Sequence, residues 1–164
     1  MKIIVAFQKD FDDDIEFYWK WAADFIKWGT KSAYFHVEIA IDEKWVGAHT
    51  DQGIEIHDLK PLYSPQFDYY ELDIPELTET QNKIFWQFVE RQNGTGYDWI
   101  GIYLTQFIML DWESKSKWFC SEIVVKLLQL LYVEEFLGMK PNRISPQQVF
   151  EVIKMKGTKL EIEN

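Results

Sequence analysis

The chain has only one cysteine, Cys120, in 164 residues. A single cysteine cannot form an internal disulfide, so nothing indicates a disulfide-stapled secreted scaffold. The N-terminal stretch MKIIVAFQKDFDDD has one lysine and a short apolar run ending in acids, which predicts a first strand and not a signal peptide. A reducing, cytoplasmic location is the expectation that follows.

The chain also lacks long apolar runs and an excess of positive charge. No uninterrupted apolar segment approaches the roughly 18 residues of a membrane helix, because Asp98, Asp111 and Lys126 break the longest candidates. The formal net charge is −10 and the pI is near 4.7, which disfavours binding to phosphate backbones. We therefore expect no stable membrane insertion and no nucleic-acid partner.

The sequence contains no internal repeat, no low-complexity tract and no Pro/Gly/Ser-rich linker, so residues 1–164 are predicted to form one domain. Short β-branched or aromatic segments, separated by turn residues, predict five strands. The last four are predicted to form an antiparallel meander. The predicted strands are 2–7, 34–41, 44–49, 53–59 and 67–73.

Helical signals follow the strands. Thr78 and Gln81 have capping-box spacing, and Ser145 followed by Pro146 is typical of a helix start. Because strands occupy one block and most helices another, an α+β fold is predicted. The predicted helices cover 13–28, the segment from Thr78 through KIFWQFVERQ, 98–110, 121–133 and 145–155.

Cys120 is predicted to lie at the N-terminus of the helix at 121–133, where free backbone N–H groups and the helix dipole favour an anion. A cysteine there is suited to be a nucleophile, although free cysteine also commonly fills apolar cores. A nucleophile needs a base, and the only histidines are His36, His49 and His57.

His36 is the best-placed base. In YFHVEIAI it is predicted to lie mid-strand, sharing one face with Glu38 and Tyr34, while Phe35, Val37 and Ile39 point to the other. A strand that presents His and Glu together can hold an imidazole beside a carboxylate that orients it. A half-exposed strand with ordinary polar residues is the alternative.

No pair of histidines or cysteines shows a ligand spacing such as Cys-x-x-Cys or His-x-x-x-His. The spacing along the chain therefore predicts no metal site, and no cofactor is expected.

Three segments together resemble a known family. GTGYDWIG (94–101) and WFCSEIV (118–124) resemble the Gly-x-x-Tyr-x-x-Gly and Cys-Ser-x-hydrophobic elements of NlpC-like, papain-like cysteine peptidases, and FHVEIAI is similar to their histidine strand. Histidine precedes cysteine here, as in the circularly permuted group that includes YiiX-like and lecithin-retinol-acyltransferase-like proteins. The resemblance covers residues 32–153 and implies a permuted papain-like sheet packed against helices, with the catalytic cysteine at a helix N-terminus.

The resemblance also implies roles for individual residues. Cys120 is implied as nucleophile, His36 as general base, and Tyr97 and Ser121 as groups that contact the substrate or oxyanion. Relatives often carry the orienting His, Asn or Glu just before an alanine on the next strand.

In this chain that slot holds Gly47. Glu38 and His49 are the two replacements available, and we prefer Glu38 because a carboxylate is the better partner for an imidazolium.

The combined expectation is a cysteine-dependent amidase or peptidase that acts on a peptide, a peptidoglycan fragment or another small amide. A lipid acyltransferase or phospholipase of the permuted group is the first alternative, disfavoured by the charge of −10 at anionic lipid surfaces. A binding module that has lost its chemistry is the second. The sequence specifies neither the substrate nor the oligomeric state.

Overall fold

The structure is a computed structural model that describes residues 1–10, 20, 23–24, 27–28, 31–49, 53–58, 64–97 and 117–161, with backbone only for residues 97, 117 and 118. These residues form an α+β fold, as predicted, with a six-stranded antiparallel sheet and three α-helices that lie entirely within the described ranges. The strands are β1 (Lys2–Gln8), β2 (His36–Ile41), β3 (Lys44–His49), β4 (Gly53–Asp58), β5 (Phe67–Asp73), β6 (Gly96–Tyr97), β7 (Lys117–Trp118) and β8 (Thr158–Leu160).

The large sheet has the order β4-β3-β2-β1-β5-β8. Strands β2, β3 and β4 form the predicted meander, but the prediction that β5 continues it is wrong. Instead β5 pairs with the other edge of β1, where Val5 lies opposite Tyr70. The reason is that β1 is buried at the centre of the sheet, so its backbone N–H and C=O groups need partners on both edges.

One face of the sheet carries the core. Val37 and Ile39 of β2 and Val46 of β3 are fully buried, and a helix, α2 (Cys120–Leu130), packs against these two strands. Another helix, α3 (Pro146–Lys156), packs against β1 and β5. The alternate residues of β2 and β3 therefore face away from this core.

The predicted helix starts at Thr78 and Ser145 are confirmed. Helix α1 (Glu79–Gln92) begins with a capping box between Thr78 and Gln81, and α3 begins with the same arrangement between Ser145 and Gln148. The side chain of each capping residue accepts a hydrogen bond from a backbone N–H in the first turn, and the side chain of the third helical residue accepts one from the backbone N–H of the capping residue. These helix boundaries are therefore set locally.

Helix α2 begins at Cys120, one residue before the predicted start, and ends at Leu130 rather than at 133. It ends early because Tyr132 has a positive φ of 59°, which a right-handed helix does not allow.

The predicted helix at 98–110 lies outside the described residues, and so does much of 13–28. Within the latter range, Lys20 and residues 23–24 and 27–28 are helical. No helix in the described part of the chain has the length and apolar character needed to cross a membrane.

Strand β2 begins at His36, so the prediction of a strand from residue 34 with His36 in its middle is wrong. Tyr34 lies before the strand, packs against Phe7 and Phe150, and donates its hydroxyl to Asp68. Side chains alternate between the two faces of the sheet only from His36 onward, because β2 starts there. His36 thus lies at one end of β2, where a loop or helix terminus can approach it.

Candidate active site

Cys120 is the first residue of α2 and is only 3% exposed. Phe119 precedes it in extended conformation, and no side chain in the described part of the chain caps this helix. The Cys120 sulfur lies 3.9 Å from the backbone carbonyl oxygen of Phe35, the residue before His36. The start of α2 is therefore placed against the start of β2.

The His36 ring lies between a thiol and a carboxylate. Its Nε2 is 2.8 Å from Oε1 of Glu38, and the Cys120 side chain is close enough to help raise the pKa of the ring. Because Nε2 is engaged by Glu38, Nδ1 is the nitrogen left to face the sulfur. Cys120, His36 and Glu38 therefore lie together where α2 meets the start of β2.

These contacts favour a charged imidazole. Burial alone lowers the pKa of His36, but the hydrogen bonds to Cys120 and Glu38 outweigh burial and raise that pKa to about 10. Burial likewise raises the pKa of Glu38, yet the hydrogen bond to His36 more than offsets it and holds the pKa below its usual value. Both shifts favour an imidazolium beside a carboxylate.

His49 approaches the same oxygen of the Glu38 carboxylate as His36 does. Its Nε2 is 3.4 Å from Oε1 of Glu38, and its ring centroid is 5.2 Å from that of His36. Burial, and then the neighbouring His36 charge, lower the pKa of His49. Of the two predicted orienting residues, Glu38 is therefore the one that hydrogen-bonds the His36 ring, and His49 is a neutral neighbour behind it.

Gly47 makes room for this arrangement. The β2–β3 register pairs Ile39 with Val46 and, continued by one residue, brings Gly47 opposite Glu38. A Cβ atom at position 47 would lie 2.8 Å from Cγ of Glu38 and 3.3 Å from Nε2 of His49. The space beside Gly47 is therefore filled by the Glu38 side chain from the neighbouring strand.

Ser121 is one of the two residues predicted to contact the substrate or oxyanion. The Ser121 hydroxyl donates to the carbonyl oxygen of Ile144 at 2.6 Å, and Ser121 is fully buried. The hydroxyl therefore fixes α2 to the segment before α3 and is engaged within the protein. Ser121 can offer an oxyanion only its backbone N–H, in the first turn of α2.

The Tyr97 side chain lies outside the described residues. Its backbone belongs to β6, which runs parallel to β7 and pairs Tyr97 with Trp118. Gly53 has a φ of +80°, and a Cβ there would clash with the backbone of Thr95, so the Tyr97 segment meets the start of β4 backbone to backbone. Through its pairing with Trp118, the Tyr97 backbone lies beside a residue two positions before Cys120.

Two residues to which the sequence pattern gives no role, Glu55 and His57, lie beside this site. Nε2 of His57 is 2.8 Å from Oε2 of Glu55, and the rings of His49 and His57 lie 5.8 Å apart. All three histidines of the chain are thus on one face of β2, β3 and β4. The alternation Glu55-x-His57 repeats the spacing of His36-x-Glu38 and could have shown that both side chains share a face.

Comparisons of this chain with protein-family models, with curated proteins and with solved structures find no match. The resemblance to NlpC-like peptidases therefore stays a prediction. What the site can do follows from its own groups, which are a thiol at a helix N-terminus, an imidazole in contact with it, and a carboxylate behind the imidazole.

Proposed function

We propose that the protein is a cysteine-dependent hydrolase that cleaves an amide bond through a covalent acyl-enzyme. The observation that carries this proposal is the position of Cys120 beside the start of β2, 3.9 Å from the carbonyl oxygen of the residue before His36, with His36 hydrogen-bonded to Glu38. A nucleophile, a base and a group that orients the base are the parts that thiol acyl transfer needs. They come from two elements distant in sequence, so the arrangement does not follow from local chain geometry.

In the acylation step, the Cys120 thiolate attacks the carbonyl carbon and forms a C–S bond. The carbonyl oxygen becomes an oxyanion, stabilised by backbone N–H groups in the first turn of α2, including that of Ser121. The His36 imidazolium then donates its proton to the amide nitrogen, the C–N bond breaks, and the amine leaves. A thioester on Cys120 and a neutral imidazole remain.

In the deacylation step, neutral His36 takes a proton from water as the water oxygen attacks the thioester carbonyl. The C–S bond breaks, the carboxylic acid leaves, and the thiolate and imidazolium are restored. Glu38 stabilises the imidazolium at both ends of the cycle and fixes the ring so that Nδ1 faces the sulfur.

The substrate class is proposed from the resemblance and from the burial of the thiol. Peptides, peptidoglycan fragments and other small amides have a reacting carbonyl on a narrow, extended chain. Because Cys120 is 3% exposed, such a chain reaches the sulfur more readily than a bulky, branched one.

A second candidate, a binding module without catalysis, is favoured by the same burial. Cys120 belongs to the main hydrophobic cluster, together with Phe119 and Ile123, as a packing cysteine would. The two candidates differ in thiol reactivity, because a packing cysteine reacts only when the protein unfolds.

The experiment is a mass-spectrometric measurement of the iodoacetamide alkylation rate of Cys120 between pH 5 and 9. It is followed by incubation with dipeptide amides, murein peptides and lipid esters to trap an acylated Cys120. His36→Gln is a better variant than His36→Ala, because alanine would leave the Glu38 charge buried beside the neutral His49. Cys120→Ser is the blank.

We expect alkylation of the native protein to be faster than alkylation of a free thiol, to slow in His36→Gln, and to be accompanied by acylation with an amide. Trapping by the lipid ester alone would move the assignment to an acyltransferase or phospholipase. A thiol that reacts only in denaturant would overturn the proposal in favour of the binding module.

A further inference from the structure

The strands next to the thiol site carry a second cluster of ligand-type side chains. We propose that His49, Glu55 and His57 bind a divalent transition-metal ion, with Zn²⁺ as the reference ion. One ligand atom from each residue lies within 4.8 Å of those of the other two, so modest side-chain movement brings all three onto one ion. The three residues are not those of the thiol chemistry proposed above, although His49 adjoins Glu38, and metal binding does not depend on that chemistry.

The β3–β4 pairing produces this cluster. Gly47 lies opposite Glu55, and His49 and His57 lie on the same face to either side of that pair. Because Gly47 has no side chain, the two imidazole rings can extend toward each other, and their centroids are only 5.8 Å apart. A larger residue at position 47 would separate them.

Two imidazoles and one carboxylate are a ligand set suited to zinc and its neighbours in the transition series. Three protein ligands leave a fourth position for water or an added anion. Nε2 of His49 is buried, and its 3.4 Å approach to Oε1 of Glu38 does not make a hydrogen bond. A buried nitrogen in that state costs free energy, and an ion bound beside it would give it a partner.

A competing set of ligands, His36, Glu38 and His49, satisfies the same distance limit. Two of its members are already bound to each other at 2.8 Å, and both side chains are at least 85% buried. Using them for a metal would break the contact with Cys120 as well. The pair of Glu55 and His57 is also 2.8 Å apart, but the His57 side chain is 50% exposed, so opening this pair costs little and an ion can enter from solvent.

The spacing of residues along the chain predicts no metal site, since it reveals only ligands on one helix, loop or strand. Here Glu55 and His57 are two apart on β4, and His49 reaches them across the hairpin. The third ligand is visible only once the register of the two strands is known.

The test is a Zn²⁺ titration by isothermal calorimetry of the full chain carrying Cys120→Ser, so that no thiol can bind the ion. His57→Ala and Glu55→Gln remove proposed ligands, and His36→Gln is the matched control that disables only the competing set. Far-ultraviolet circular dichroism of each variant checks folding, which His57→Ala should preserve because that side chain is half exposed.

We expect one ion per chain and an affinity at least about tenfold weaker in His57→Ala and Glu55→Gln, since even second-shell partners cost that much. His36→Gln should not weaken binding, because it removes a neighbouring positive charge and no proposed ligand. Bound Co²⁺ should give visible bands of a nitrogen and oxygen ligand set, and in the unmodified chain no thiolate charge-transfer band. Absence of binding would overturn the proposal, and so would binding that is lost in His36→Gln but kept in His57→Ala.

Discussion

The charge of Glu38 should control the protonation of His36, and Glu38→Gln tests this. Oε1 of Glu38 is 2.8 Å from Nε2 of His36, and the Glu38 side chain is 15% exposed. Glutamine keeps the shape and can still accept a hydrogen bond, so the change removes the charge and little else. The measurement is best made in a Cys120→Ser chain, where the imidazole no longer titrates together with a thiol.

The expected effect follows from the strength of the contact. A hydrogen bond to a charged partner contributes about 1.5–3 kcal/mol, and one pKa unit corresponds to 1.36 kcal/mol. Because the carboxylate favours the charged imidazole, its replacement by an amide should lower the pKa of His36 by about one to two units.

The assay is an NMR titration of the histidine ring protons in the presence of a chelator, with the three histidines assigned from single variants. Glu55→Gln is the matched control, since Glu55 also lies 2.8 Å from a histidine two residues away but on a more exposed pair. It should leave the His36 titration in place. An unchanged His36 titration in Glu38→Gln, or an equal change in Glu55→Gln, would refute the role given to the contact.

Three further predictions test other parts of the site. Gly47→Ala should lower the free energy of unfolding in urea by about 1–3 kcal/mol, because its Cβ would press on Glu38. The control is Gly138→Ala, where the added Cβ lies in open space and stability should change by less than about 0.5 kcal/mol. Equal effects of the two substitutions would contradict the steric argument. Ser121→Ala should lower the free energy of unfolding by about 1–3 kcal/mol, because it leaves the carbonyl of Ile144 unpaired. It should not alter the rate at which the Cys120 thiol is alkylated. A slower rate would show that the Ser121 hydroxyl takes part in the site. The pKa of Glu38 is lowered from an ordinary value of 4.5, so the stabilising effect of its carboxylate is present above that pH and is lost as the pH falls. The difference in unfolding free energy between wild type and Glu38→Gln should therefore shrink on acidification below about 4.5. A constant difference would show that protonation of this carboxylate is not linked to folding.

The features that sequence predicted well depend on neighbours in the chain. The capping boxes at Thr78 and Ser145 are closed by residues three positions on. His36 and Glu38 meet because residues two apart on a strand share a face. In each case the backbone of one element fixes the distance, so spacing alone is informative.

The features that sequence missed depend on packing between distant segments. The pairing of β5 with β1 follows from the central place of β1 in the sheet, which no spacing along the chain shows. The Ser121 hydroxyl turns to Ile144 because the segment before α3 packs on the start of α2. Tyr34 joins the core because the ladder begins only at His36.

The small space next to Gly47 couples positions 38 and 47 of this protein. A Glu side chain at position 38 and any side chain at position 47 compete for the same space, so only one of the two strands can supply the group that orients His36. A chain with His, Asn or Glu at position 47 would have to move or shorten residue 38, while His36 and Cys120 could stay unchanged. Paired substitutions at these two positions should therefore be tolerated where each substitution alone is harmful. Either strand can then supply the group that orients His36, with no change to the strand order of the sheet.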